Sequence, residues 1–279
     1  MSSTLNRALA LAAPVLALAI LSSCSDSGQP AVGTPAYAWK AAGESYKGGD
    51  LMKTLDNLDQ ILATDNDYTA RALPWALVLS SGVASGYADL ADAYETGGKA
   101  NRTNPAAFHR SVAQCKGFMK QLSLSFAERA GKLDRVKGDS LPLAFVYPAG
   151  TAAPVPAISK ITGGVILPAP EAESTQKRAL ERGVLLAACR FAGAADDTAK
   201  TEAILKAPDA KVSRGDFQLA IAQTLYTQSA YYGPQKLDDA EKSRLFCERA
   251  QDMLKGVPES KQSKDLTAKI QKALKAKKT

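Results

Sequence analysis

The stretch PAYAWKAAGESYK over residues 35–47, GGD over residues 48–50 and LMKTLDNLDQIL over residues 51–62 decides the fold. In its last part Leu51, Leu55, Leu58 and Leu62 recur at i, i+4, i+7 and i+11, the stripe of an amphipathic helix that buries one face. A first helix over residues 35–47 precedes it, and Gly48-Gly49-Asp50 is the turn between them. The unit is a helical hairpin, and it sets the class as all-α.

Moving outward, residues 68–96 predict a third helix with Leu79, Val83, Tyr87, Leu90 and Tyr94 on one side. Pro74 kinks or delays its start, and Gly97-Gly98 ends it. Asn104 and Pro105 make an N-cap and first-turn pair for a long helix reaching Gly131, with Phe108, Val112, Cys115, Met119, Leu122 and Phe126 along its stripe. From 138 to 172 the pattern breaks: Pro142, Pro148, Pro154, Pro156, Pro168 and Pro170, with Gly163-Gly164, exclude a helix of any length. Residues 141–147 and 158–167 are apolar and β-branched enough to make short strands or to pack across the body.

Helix then resumes. Leu180, Val184, Ala187, Ala188 and Phe191 form one stripe, and a short helix follows near residues 198–206. Ser213 with Asp216 reads as a capping box for a helix continuing to about Tyr232. Another spans residues 238–255, and Leu266, Ile270 and Leu274 mark the last. The expected architecture is a series of antiparallel helical hairpins in two halves, residues 36–137 and 173–279, joined by a Pro-rich connector over residues 138–172.

The chain starts with a short polar stretch holding Arg7, then runs apolar over residues 8–21 before Ser22, Ser23 and Cys24. That is the layout of a secretory signal. An apolar run of 14 residues, interrupted by Pro14, falls short of the roughly 18–20 that cross a bilayer as a helix. Leu21-Ser22-Ser23-Cys24 resembles the lipobox of bacterial lipoproteins. The resemblance implies that residues 1–23 are removed as a signal peptide and that Cys24 carries the membrane-anchoring lipid, diacylglycerol with a fatty acid such as palmitate. Ser25, standing where inner-membrane retention wants Asp, implies the outer membrane, facing the periplasm. Residues 24–35 are too polar and too rich in Ser, Gly and Pro to fold, and read as a flexible tether.

Removing the signal leaves about 255 residues, enough for one sizeable domain or two smaller ones. The net charge is +7, and the last stretch accounts for nearly all of it: Lys261, Lys264, Lys269, Lys272, Lys275, Lys277 and Lys278 face only Asp265. No aromatics interleave with these lysines, so a nucleic-acid partner is not expected. The stretch reads as the solvated face of a terminal helix, or as a contact for anionic lipid headgroups or cell-wall polymers. With Cys24 acylated, Cys115, Cys189 and Cys247 remain. Either Cys189 pairs with Cys247 or no bridge forms, Cys115 being placed on an apolar stripe.

Trp39, Gly43, Tyr46, Gly49-Asp50, Leu55, Leu58 and Leu62 resemble a tetratricopeptide unit, one residue short in the turn and with Leu55 or Thr54 where Ala is usual. Leu90, Ala91 and Tyr94, followed by Gly97, look like another first helix, after which the period lapses. The resemblance implies a tetratricopeptide-like array with a concave partner-binding surface. With the lipobox, Leu73-Pro74-Trp75 and Tyr87, the chain also looks somewhat like the lipoprotein T component of tripartite periplasmic transporters. That family implies a helical body that binds a solute receptor and a small hydrophobic ligand.

The search for chemistry gives little. His109 is the single histidine, so a multi-His metal cluster is excluded. Gly-x-Ser-x-Gly, Gly-x-Gly-x-x-Gly and Gly-x-x-x-x-Gly-Lys patterns do not occur. Asp196-Asp197, Asp238-Asp239 and Asp65 with Asp67 fall at helix starts or turns, where aspartate caps backbone N–H groups. The expectation is therefore a non-enzyme with no catalytic residue, no metal site and no cofactor. Tyr37, Trp39 and Tyr46, and Tyr226, Tyr231 and Tyr232, are the candidate binding-face residues, weighed against a role in core packing. The function read from sequence is a lipid-anchored envelope scaffold for a protein or peptide partner. The alternative is a periplasmic small-molecule-binding lipoprotein associated with a transport system, with its pocket between the halves near the connector.

Overall fold

Thr34, in an extended conformation, accepts a hydrogen bond from Tyr37 N at 3.2 Å, and helix α1 (Pro35–Lys47) starts there, in a computed structural model that describes residues 30–276. Residues 1–23 and Cys24, with the expected signal and lipid anchor, and Lys277 and Lys278 lie outside the described residues. The turn after α1 needs a glycine: Gly49 has φ +80°, a left-handed conformation open to a residue without Cβ. Asp50 then accepts from Lys53 N at 3.0 Å and opens α2 (Leu51–Leu62). Asn57 Nδ2 donates to Ser45 Oγ across the hairpin at 3.3 Å.

Helix α3 (Thr69–Ala100) is the axis of the molecule. At 32 residues it is roughly 48 Å long, and from Ala72 to Ala84 every residue is buried, the signature of a helix enclosed on all sides. It packs against α2, against α4 (Ala106–Ala130), against α5 (Pro156–Thr162) and against α6 (Ala169–Phe191). The helix starts five residues before Pro74 and runs through it, so the expected delay does not occur. Nor does Gly97 end it. A Cβ on Gly97 would collide with Ile161 O of α5, so this glycine is there for close approach rather than termination. The side chain of Asn104 does not cap α4; the loop is held instead by Asn101, whose Oδ1 accepts from Asn104 N at 2.7 Å and from Thr103 N at 3.1 Å.

The crossing of α3 with α6 is made of bare backbone. A Cβ on Gly82 would collide with Val184 Cα, one on Gly86 would stand 2.8 Å from Ala179 O, and one on Gly183 would collide with Gly82 O. Glycine on both partners lets the helix axes approach as branched residues forbid. On the opposite side, Arg129 of α4 clamps Asp59 of α2 through Nε–Oδ1 at 2.9 Å and Nη2–Oδ2 at 2.6 Å.

Residues 138–172 contain helix, against the reading from their prolines. Pro156 sits at the first position of α5, and Pro168 immediately precedes α6, whose first turn also holds Pro170. A proline in a first turn costs no hydrogen bond, because its N–H would have no partner there. The strand expectation holds for a short part. β1 (Ser140–Pro142) pairs antiparallel with β2 (Lys211–Ser213), Leu141 opposite Val212. Leu141 and Leu143 are thereby buried in the common core.

Beyond α6 come α7 (Thr198–Leu205), α8 (Arg214–Tyr231), α9 (Ala240–Leu254) and α10 (Lys261–Ala276). Of the capping box expected at α8 the serine half forms: Ser213 Oγ accepts from Asp216 N at 3.1 Å, while the Asp216 carboxylate meets the Ser213 hydroxyl at 2.6 Å instead of its backbone N–H. One continuous apolar core takes in residues from Ala38 of α1 to Ile270 of α10. The chain is thus predominantly helical, with a single two-stranded ribbon among the described residues.

Candidate functional site

The α1–α2 turn faces α6 across a cleft of about 460 Å³, and α3 forms the floor. From α2 come Leu51 and Met52, from α3 Tyr87, and from α6 Leu180 and Val184, so the walls are largely apolar. Polar groups gather at the rim: Asp50 at the turn, and on α6 the exposed Glu173 and Lys177 with the half-buried Gln176 and Glu181. Lys177 passes over Gly49, its Cε and Nζ 3.6 Å from where a Cβ there would stand, and reaches Glu181 Oε1 at 3.9 Å.

Two tyrosines, Tyr46 and Tyr87, line this space. Burial raises the pKa of Tyr46 most, the nearby Glu181 carboxylate raises it further, and a hydrogen bond with the backbone of Ala149 opposes them. Burial also raises that of Tyr87, whose oxygen accepts from Gln176 Nε2 at 3.4 Å. Both hydroxyls therefore stay protonated at neutral pH and remain hydrogen-bonding groups in an apolar wall. No histidine or cysteine lines the cleft, and among the described residues no group of three His, Cys, Asp or Glu side chains is placed to hold a metal ion. What the arrangement can do chemically is enclose an apolar body and hydrogen-bond its polar end.

The aromatic residues singled out from sequence do not form one face. Trp39 packs at 5.4 Å from the ring of Trp75 and 6.0 Å from that of Tyr68, and Tyr46 lies 5.5 Å from Trp75. Tyr37 is 36% exposed on the outer side of α1. Tyr232 is fully buried, stacked on Phe246 at 5.0 Å, with its hydroxyl 2.7 Å from Ser123 Oγ. Tyr231 is half-buried, and burial followed by the carboxylates of Asp89 and Asp92 pushes its phenol up to about 12. Tyr226 is half-buried in a separate hollow with Ala273 of α10. Of the six, Tyr46 alone lines the cleft. The residues that sequence reasoning passed over are Met52, Tyr87 and the rim of α6; Gly49-Asp50 beside a half-buried Met52 was the available signal.

Of the two alternatives left open for Cys189 and Cys247, the one without a bridge is found. Cys189 is a free, buried thiol turned toward Thr201 of α7, whereas Cys247 lies with its Sγ 3.3 Å from Ser229 Oγ of α8. The two sulfurs thus serve different helix contacts. Cys115 is buried beneath α3 as read, which lifts its thiol to about 11. His109 is exposed on α4. Among the described residues no helix is long and apolar enough to cross a membrane. No family model, curated protein or solved structure matches the chain.

Proposed function

We propose that the chain is a non-catalytic lipoprotein of the bacterial envelope, acylated at Cys24, that holds a small ligand with an apolar body and a polar end in the cleft between the α1–α2 turn, α3 and α6. The observation that carries the reading is the cleft itself: about 460 Å³, walled by Met52, Leu180 and Val184, with Tyr46 and Tyr87 also lining it. Sites for small molecules have this size and this balance of apolar wall to a few convergent polar groups. The lipobox Leu21-Ser22-Ser23-Cys24 supports the location, in the outer membrane facing the periplasm. The likeness to the T component of tripartite periplasmic transporters supports the class of ligand and a transport-associated role.

The test is direct. The environment-sensitive apolar dye N-phenyl-1-naphthylamine binds the processed protein, and Met52→Trp, which fills the cleft from a half-buried wall position, weakens that binding at least about tenfold without lowering the melting temperature. Equal dye affinity in the variant sinks the reading.

A second reading, a tetratricopeptide-like scaffold for an envelope protein or peptide, is favoured by Tyr37, 36% exposed on the outer side of α1. Native mass spectrometry of the delipidated body separates the two. A retained small molecule supports the carrier; an empty protein that captures a defined partner through Tyr37 supports the scaffold.

A further inference from the structure

Helix α10 is built with two unlike faces. Leu266 and Ile270 are buried and Ala273 and Leu274 half-buried against the body. The opposite face carries Lys261, Lys264, Lys269, Lys272 and Lys275, all exposed. At 3.6 residues per turn, Lys261, Lys264, Lys272 and Lys275 fall within an arc of about 80°, in a row roughly 20 Å long, with Lys269 about 60° outside it.

The row is held rigidly. Ser260 and Ser263 exchange bonds at the start of α10, Ser263 Oγ accepting from Ser260 N at 2.9 Å and Ser260 Oγ from Ser263 N at 3.1 Å. Just before them Pro258 rests on Gly215 of α8, where a Cβ would stand 2.6 Å from Pro258 Cδ.

A merely solvated face does not need this pattern. Elsewhere several cations are paired along their own helices, as in Lys206–Glu202, Arg244–Glu248 and Lys242–Asp239, while others, such as Lys53 and Lys120, stand singly. On α10, Lys261–Lys264, Lys269–Lys272 and Lys272–Lys275 set like charges at i, i+3, which destabilises a helix, and Asp265 is the one acidic side chain among them. Among the described residues only Lys264 of this row has an ion-pair partner, Glu259 at 2.8 Å. Solubility alone is served better by acidic side chains. The chain therefore concentrates its net positive charge at a local cost, and Lys277 and Lys278 extend it in sequence.

We propose that the lysine row of α10 is a docking surface for an anionic lipid bilayer, against which it lays the folded body. The charge is complementary to phosphatidylglycerol-type headgroups, and the row is straight, matching a plane rather than a groove. It has no exposed aromatic or arginine for stacking on bases, which argues against a nucleic-acid strand. With its apolar side chains turned into the body, α10 does not insert; it adsorbs by charge and is released by salt. The contact is independent of the acyl chain at Cys24.

The experiment uses the full chain carrying Cys24→Ser and sedimentation with vesicles of phosphatidylglycerol or of phosphatidylcholine. The leader with its Arg7 is common to the parent and its variants, so the part of the difference between the two lipids that depends on the α10 lysines is the readout. Partition into phosphatidylglycerol exceeds that into phosphatidylcholine at least about a hundredfold at low salt, and it falls roughly fivefold for each lysine removed. Replacing all five lysines by Gln abolishes the difference, replacing them by Arg keeps it, and 0.5 M salt erases it, the last being a condition of about 4 Å screening length. The proposal is overturned if the Gln variant partitions like the parent, if the two lipids bind equally, or if soluble polyphosphate binds more tightly than the vesicles. The last result assigns the row to a free polyanion.

Discussion

Near its N-terminal end α3 is enclosed by rings: Trp75 has Trp39 at 5.4 Å, Tyr46 at 5.5 Å and Phe145 stacked at 6.4 Å. Two turns further along, Gly82 and Gly86 present bare backbone to Ala179, Gly183 and Val184 of α6. One helix is thus buried in two ways, by large side chains that reach outward and by absent side chains that let a neighbour come in. The aromatic end fills space between elements that stay apart, and its rings can relax when one is trimmed. The glycine crossing has no such reserve, because any added atom meets backbone.

That difference can be broken most sharply at Gly183. Gly183→Val pushes α6 off α3 and costs about 4 kcal/mol or more, seen as a melting temperature lower by roughly 8–16 °C or as loss of soluble protein. A variant that melts with the parent removes the argument from close approach. At the aromatic end Trp75→Phe trims a buried ring yet keeps an apolar partner for Tyr46 and Trp39; chemical denaturation should register about 2 kcal/mol.

Cys115 probes the side of α3 that faces α4. Its thiol is raised from 9.0 to about 11, so between those values the unfolded chain ionises while the folded one keeps its proton. This contribution is complete below pH 9 and is lost as pH rises toward 11, at most about 3 kcal/mol in all. Urea denaturation at pH 8, 9.5 and 11 should show a steeper fall in the parent than in Cys115→Ala. The smallest change has the opposite sign. Gly117 lies exposed in the middle of α4 with nothing within 4 Å of a Cβ, so Gly117→Ala stabilises by about 0.5–1 kcal/mol. Glycine to a larger residue thus helps on α4 and ruins the crossing with α6.

The same comparison explains what could be read from sequence. The α1–α2 hairpin was legible residue by residue because its signals are local: the leucine stripe, Gly48-Gly49-Asp50 and the Asp50 cap. Gly97-Gly98 was not, since a glycine that ends a helix and one that admits a neighbour are the same letter, and only Ile161, far along the chain, tells them apart. Pro156, Pro168 and Pro170 misled for a related reason, a proline forbidden inside a helix being welcome in its first turn. Of the cleft only Tyr46 was read beforehand as a binding-face residue. Its other walls come from three segments that the fold alone brings together, and no spacing along one helix announces a concavity shared by several.

The β1–β2 ribbon carries a topological consequence. Ser140 faces Ser213, Leu143 N donates to Ala210 O at 2.8 Å and Arg214 Nε donates to Gly138 O at 2.7 Å, so the two ends of the excursion holding α5, α6 and α7 are stitched together at its neck. Its body is sewn to α3 by the glycines of the crossing. Covalent continuity at exposed Gly150, within that excursion, is then dispensable: a chain cut there leaves two fragments that noncovalent seams still join, and the protein becomes a natural scaffold for split-reporter complementation.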